Sequence, residues 1–367
     1  MKLGAVILAG GYSSRMKGFK PLMRLGDHTL LRHCVQLFQA AGIERIVVVS
    51  GHREQEVNRE ARLQGAQPLY NPDFDQGMFS SVRRAVPAMA DLDGLFMLPV
   101  DIPLVRRATL ELLMAAFDGR TIAYPCRNGL RGHPPLIPAQ LIPAIMEHDG
   151  SGGLKRLLAR FEGRDVQVWD DGAFMDADTP GDFKRLVRRL EQWETGSRLE
   201  AESLAALTMP QRGEAHGRAV AHIATMLARE LGRHGVQLDP DLVYNGALLH
   251  DLAKGQPDHE ARGAAMAQAL GLGRLAEVIG AHRDALPVPA AELAEKELVC
   301  LADKLVRGTR RMPVEQRFQE KLDLYREDPA ACRAIRTRLE NALGLKQAVE
   351  QATCRPLEDI LRETPQP

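Results

Sequence analysis

The first half of this chain alternates short runs that are apolar throughout with stretches of helical periodicity, and few folds accept that pattern. GAVILA, RIVVVSG and DGLFMLPVDIP leave no polar face for a strand to turn towards water. Strands of that kind are buried on both sides, in a mainly parallel sheet with helices over both faces. The intervening segments can supply the cover. TLLRHCVQLFQAAG, closed by Gly42, and ATLELLMAAF carry apolar residues at helical spacing, and TIAYPC reads as a further strand. Ligands of such sheets gather where strands end and loops begin. From about residue 213 the pattern changes. AVAHIATMLARELG, PDLVYNGALLHDLAK, HEARGAAMAQALG, AEKELVCLADKLV and ACRAIRTRLENAL each repeat apolar residues every three to four positions, and no strand stands out. Residues 193–212 are polar and run into TMPQRG, which reads as a linker. The expected organisation is an α/β domain over 1–192, a linker over 193–212 and an all-α domain over 213–367.

Charge and cysteine usage narrow the class. Lysine plus arginine and aspartate plus glutamate each number 48, so no global field draws the chain to nucleic acid or to a membrane, and neither is expected as a partner. RLVRRLEQWE, near residue 190, reads as a solvated helix face. Cys34, Cys126, Cys300, Cys332 and Cys354 are scattered without a CxxC pair, which argues against a disulfide framework or a zinc knuckle and fits a reducing compartment. The early apolar run Leu3 to Ala9 passes straight into a charged glycine-rich loop, so no signal peptide is expected. No apolar stretch approaches the roughly 20 residues of a membrane helix. The expected location is cytoplasmic.

The loop after the first strand, LAGGYSSRMKGFKP, matches neither GxxxxGK[ST] nor GxGxxG. Its physics is still suited to phosphate. Gly10 and Gly11 lack a Cβ, so backbone N–H groups can approach an anion. Ser13 or Ser14 can cap the next turn, and Arg15 and Lys20 can neutralise phosphate oxygens. On this stretch alone two readings stand, a phosphate cradle and a tight turn with two solvated cations. Asp101, just past the strand in LPVDIPLV, is placed to hold Mg²⁺ together with substrate phosphates, or to make a turn at the strand end. FMDADTPGDF adds Asp176 and Asp178 before a helix starting near Pro180. Asp178 can cap that helix, which leaves Asp176 as the second candidate metal ligand.

LAGGYSSRMKGFKP, NPDFDQGMFSSVRRAV, LPVDIPLV, RGHPPLI and DADTPGDF occur in the order seen in molybdenum cofactor nucleotidyltransferases (the MobA-like group), and the stretch from 1 to about 190 resembles their cytidylyltransferase branch. The resemblance implies a Rossmann-like nucleotidyltransferase fold. It also implies attack of the molybdopterin phosphate on the α-phosphate of an NTP, with Mg²⁺ present and pyrophosphate released. Carried onto matching positions, Leu8, Ala9, Gly10 and Gly11, with Ser13 and Ser14, would cradle base and phosphates. Arg15 and Lys20 would stabilise the leaving pyrophosphate and Asp101 would bind Mg²⁺, these three forming the catalytic set. Asn71, Gly77, Ser80 and Ser81 would border nucleotide or acceptor, and Gly132, His133 and Pro134 would form a wall near the pterin. LAGG is nearer to the guanylyl branch, whereas NPDFDQGMFSSV and GHP resemble the cytidylyl branch, so CTP is favoured over GTP.

In the second half, His216, His250–Asp251, His259, His282 and Asp303 stand out. Leu248, Leu249, Leu252 and Ala253 flank the His250–Asp251 pair, and a charged aspartate in such a buried helical segment is costly unless paired or metal-bound. Imidazoles and carboxylates suit Fe, Mn, Zn or Co, and a bound metal activates water for hydrolysis. The order His…His-Asp…Asp resembles the HD phosphohydrolase superfamily over roughly 213–320. With His259, His282 and ADKLVRG it is similar to the bacterial branch that hydrolyses diadenosine polyphosphates. The resemblance implies that all six residues ligate one or two divalent metals such as Fe or Mn, and that Lys254 contacts phosphate. Thr309 stands where that branch usually has arginine, which leaves the substrate open as a phosphorylated nucleotide or phosphoester.

The expected function is therefore a fused enzyme, a CTP:molybdopterin cytidylyltransferase joined to a metal-dependent phosphohydrolase. Two alternatives stay open: transfer with GTP or to another acceptor, and an HD half that senses nucleotide or oligomerises without turnover. Homo-oligomerisation and delivery to a molybdenum hydroxylase apoenzyme are further partner readings.

Overall fold

The computed structural model describes residues 1–16 and 18–362. The chain divides into two units, Met1–Glu191 and Gln192–Pro367. Among the described residues no helix is long and apolar enough to cross a membrane.

The first unit runs β1 (Leu3–Leu8), the short hairpin β2 (Arg24–Leu25) and β3 (His28–Thr29), α1 (Leu30–Ala40), β4 (Arg45–Ser50), α2 (Glu54–Leu63), β5 (Gln67–Tyr70) and α3 (Met78–Ala85). It continues through β6 (Gly94–Pro99), α4 (Arg107–Ala116), β7 (Ile122–Arg127), β8 (Leu130–Arg131), β9 (Leu136–Pro138), α5 (Ile142–Glu147), α6 (Gly153–Leu158), β10 (Gly163–Gln167) and α7 (Pro180–Glu191). The main sheet has the order β10-β7-β9-β6-β1-β4-β5, with β8 against β7. β1 pairs in parallel with β4 and β6, β4 with β5, and β7 with β10, while β9 runs antiparallel between β6 and β7. The sheet is thus mainly parallel, as the apolar runs require. Alternation along β6 distributes its side chains to two cores. Leu95 and Met97 join Val6, Val47, Val82, Met89 and Leu157 on one face, and Phe96 meets Phe38 of α1 at 5.7 Å on the other.

The second unit is helical: α8 (Arg198–Thr208), α9 (Gln211–Arg233), α10 (Pro240–Leu249), α11 (His259–Ala269), α12 (Gly273–Ala281), α13 (Glu295–Lys304), α14 (Val314–Leu324), α15 (Pro329–Thr353) and α16 (Leu357–Arg362). It holds one small exception, the hairpin β11 (Val306–Arg307) and β12 (Arg310–Arg311), turned by Gly308 at φ 61°. The segment 193–212, read above as a linker, instead carries α8. Ser197 and Glu200 form a reciprocal capping box at its start, and Ala201, Leu204 and Ala205 are buried. A reciprocal cap satisfies two orphan N–H groups at once, so a polar segment with one buried stripe becomes a helix.

Candidate active sites

In the first unit, the loop after β1 and the segment after β6 meet at the carboxyl ends of the strands. They line a cavity of about 510 Å³ with Leu8, Ala9, Gly10, Gly11, Ser13, Arg15, Lys20, Gly77, Ser81, Asp101, His133, Asp176 and Asp178 among its walls. Local bonds set this geometry. Ser13, at φ 59°, accepts the Lys20 N–H on its Oγ at 3.0 Å and so starts the turn that aims Lys20 inward. The Ala177 N–H donates to the Asp101 carbonyl at 2.9 Å, which docks the DADTP segment beside Asp101.

Lys20 Nζ donates to Asp101 Oδ2 at 2.9 Å and to Asp178 Oδ1 at 2.8 Å, and Arg15 pairs with Asp178 at 2.9 Å. Burial alone would lower the Lys20 pKa, but Asp178 and Asp101 raise it above its ordinary value. The Lys20 hydrogen bond holds Asp178 below the usual carboxylate range. Asp176 is pushed up, by burial first and then by the charges of Asp178 and Asp101. Asp178 is therefore not a helix cap. Thr179 takes that role, accepting the Asp182 N–H on its Oγ1 at 3.2 Å while Asp182 accepts the Thr179 N–H at 2.8 Å.

Some expected residues stand back from this cavity. Asn71 is buried and donates to Ser80 Oγ at 2.8 Å and Ser81 Oγ at 3.0 Å, bracing the start of α3. Ser14, Asn71, Ser80, Gly132 and Pro134 are not among the described lining residues. Gly132 and His133 line an adjoining, more apolar cavity of about 480 Å³ with Phe79, Met97, Tyr124 and Leu154. His133 borders both cavities, and burial lowers its pKa. Sequence reasoning missed Tyr12 and Phe74, whose rings lie 5.4 Å apart at the cavity mouth. Tyr12 lies inside the quoted loop, but nothing in sequence joins it to Phe74.

The second unit brings all six of its expected residues together. Donor atoms of five of them form two groups, His216–His250–Asp251 and Asp251–His259–His282, each within 4.8 Å, and Asp251 belongs to both. Asp251 Oδ2 faces His250 Nε2 at 3.3 Å and His216 Nε2 at 3.8 Å, while Oδ1 faces His259 at 3.6 Å and His282 at 3.9 Å. Asp303 Oδ1 lies 3.3 Å from His216 Nε2.

Backbone carbonyls orient the rings. The Nδ1–H groups of His216, His250 and His282 donate to the carbonyls of Gly308, Ala247 and Ile279 at 2.8, 2.7 and 2.6 Å. That fixes the tautomer and turns each Nε2 lone pair inward, as metal-binding histidines require. His250 Nε2 is buried without a hydrogen-bond partner, and such an orphan fits a metal ligand. Burial first, and then His250, lowers the His282 pKa to about 4. Burial favours the neutral forms of Asp251, Asp303 and His250, yet neighbouring charges outweigh it: His250 and Lys254 lower the Asp251 pKa, Lys304 and His216 lower that of Asp303, and Asp251 and Asp303 raise that of His250.

The positions of these residues follow from two local features. α10 ends at Leu249, so His250 and Asp251 sit just past the helix rather than within it. His250 closes the helix by bonding back to Ala247. A Cβ on Gly217 would lie 2.2 Å from the Leu248 carbonyl oxygen, so α9 and α10 touch backbone to backbone. The His216 and His250 rings are consequently 5.2 Å apart. Lys254 pairs with Asp251, and Glu260, Lys304 and Arg317, which sequence reasoning did not single out, also line this pocket.

Residues 5–166 match the family described as the MobA-like NTP transferase domain, and residues 214–308 match the HD domain. Over 188 residues the chain is 27% identical to the molybdenum cofactor cytidylyltransferase of Escherichia coli (strain K12), a match covering 49% of this chain and 93% of that protein. It is 35% identical over 130 residues to the bifunctional protein GlmU of Polaromonas naphthalenivorans (strain CJ2), covering 33% of this chain and 27% of that protein. A solved nucleotidyl transferase from Methanothermobacter thermautotroptrophicus aligns with a TM-score of 0.47 at 24% identity, over 52% of this chain and 98% of that one.

Proposed function

The chain joins a MobA-like NTP transferase domain to an HD domain, and from that premise we propose a CTP:molybdopterin cytidylyltransferase fused to a metal-dependent phosphohydrolase. The observation that supports the transferase reading is the meeting of Arg15, Lys20, Asp101 and Asp178 over a cavity floored by Gly10 and Gly11. Phosphoryl-type transfer asks for positioning and charge neutralisation more than for a nucleophilic side chain. An oxygen of the acceptor phosphate bonds to the α-phosphorus, the α–β bridging bond breaks, and pyrophosphate carries the electron pair away. Arg15 and Lys20 are placed to take up the charge that grows on that leaving group. The adjoining cavity beside His133 is the acceptor's place in this reading.

Three carboxylates with hard oxygen donors, one of them raised by burial and then by like charge, fit a magnesium ion. Asp101 and Asp176 would hold it, with Asp178 beside them, and bound Mg²⁺ would neutralise phosphate charge. The reading is tested by incubating the protein with molybdopterin, Mg²⁺ and each of CTP, GTP and ATP, and measuring pyrophosphate release. CTP is expected to give the fastest release, and Asp101→Ala to abolish it while the protein stays folded. Normal activity in that variant would sink the assignment of Asp101, and release with GTP alone would replace the base.

In the HD domain, the inward Nε2 atoms and the shared Asp251 fit one or two ions of the Fe or Mn type. A metal bound there would supply the activation of water that hydrolysis needs. Metal analysis after anaerobic purification is expected to find up to two ions per chain. A metal-free protein would favour a sensing or oligomerising module over a hydrolase.

A further inference from the structure

The pocket over the second unit's histidines has a wall that the HD match does not reach. Its cavity, about 270 Å³, is lined by Lys254, Arg283, Lys304, Arg317, Lys321 and Arg338, against the carboxylates Asp251, Glu260 and Asp303. Arg317 and Lys321 come from α14 and Arg338 from α15, all beyond residue 308, where the match to the HD domain ends.

Cations exceed anions here even after every pair is made. Lys304 holds Asp303 at 2.8 Å, Arg283 holds Glu260 at 2.9 Å, and Arg338 holds Asp284 at 2.9 Å. Lys254 pairs with Asp251, and Arg317 is bound to the Asp303 and Val306 carbonyls and lies 3.5 Å from Asp303 Oδ1. Lys321 has no carboxylate or hydrogen-bond acceptor for its ammonium among the described residues, only the Phe318 ring at 5.6 Å. Lys321 is exposed, and partial desolvation with Arg317 and Lys304 nearby holds its pKa below the ordinary value. Metal at the histidines would draw Asp251 and Asp303 to itself and enlarge the surplus.

Such a wall asks for a small ligand with several negative charges. The space is about half of the 510 Å³ offered at the first unit's site. Of its aromatic lining, Phe318 at 1% exposure has no face for a base to stack on, and the His259 and His282 rings belong to the group around Asp251. We propose that this pocket binds an unsubstituted diphosphate, inorganic pyrophosphate, with Arg317, Lys321 and Arg338 as its phosphate-contacting wall. The proposal rests on the transferase reading, in which pyrophosphate is the leaving group of the first half. The second half would then consume that product: a water oxygen bonds to one phosphorus, the bridging P–O bond breaks, its electron pair leaves on the other phosphate, and two orthophosphates result.

Methylenediphosphonate, which keeps both phosphoryl groups without a hydrolysable bridge, is the probe, titrated calorimetrically into the full chain. Two classes of site are expected, one in each unit. Lys20→Ala should remove one class, and Lys321→Gln and Arg338→Gln should each weaken the other about tenfold, the effect of one charge-assisted contact. Metal content should match wild type in both wall variants, and loss of binding together with metal would overturn the wall. If Lys20→Ala abolishes all binding, this proposal fails and the transferase reading stands. If only the wall variants matter, diphosphate binding at the wall stands, while the transferase reading and the first half as the source of that diphosphate both fail. In the Lys20→Ala background, equal affinity for orthophosphate, or tighter binding of diadenosine tetraphosphate, would overturn pyrophosphate as the occupant.

Discussion

Gly10 and Gly11 are adjacent in the chain and differ in what surrounds them. A Cβ on Gly10 would meet the Gly51 nitrogen at 3.3 Å and Ser81 Oγ at 3.4 Å, whereas one on Gly11 would meet nothing within 4 Å. Gly10→Ala should therefore destabilise the first unit by about 1–3 kcal/mol through overpacking. Gly11→Ala should stay within about 0.5 kcal/mol of wild type. Urea unfolding checks both. A change of NTP preference in Gly11→Ala would then come from the ligand and not from the fold. Asp178 teaches a related point. The capping pattern belongs one residue later, to Thr179 and Asp182, and that threonine-to-aspartate spacing is visible in DTPGD. The release of Asp178 for Lys20 is not visible, because their partnership crosses 158 positions of chain.

At the scale of elements, the junction of α9 and α10 sets the geometry of the His216–His250–Asp251 group. Gly217 lets the two helices approach until one more carbon would lie 2.2 Å from a backbone oxygen. Backbone cannot swing aside as a side chain can, so Gly217→Ala should force the helices apart. A loss of about 1–3 kcal/mol is expected, with metal content per chain falling as His216 withdraws from His250. Retained metal at wild-type stability would refute this account. Gly308 serves the same site from the hairpin, since it makes the turn and its carbonyl orients His216. The helix α8 was legible in principle. Ser197 and Glu200 carry the capping spacing, but the polar composition of 193–212 outweighed it in the sequence reading.

For the whole molecule, the division into Met1–Glu191 and Gln192–Pro367 gives two cores of separate character. Scanning calorimetry is expected to show two transitions, and chelation to lower only the one that belongs to the helical unit, by mass action on the metal-bound native state. A single transition, or a chelator shift in both, would argue against independent units. By itself the sequence determined the two fold classes, and it singled out Gly10, Arg15, Lys20 and Asp101 in the first half and six histidine and aspartate residues in the second that the fold brings together. These are carried by local period and by residue types whose burial would otherwise be costly. Only the tertiary structure decided that Asp251 is shared by two ligand groups, that Asp178 faces Lys20, and that α14 and α15 lay a cationic wall over the histidines. Charges on a helix look solvated in sequence, and only packing shows which of them face a pocket.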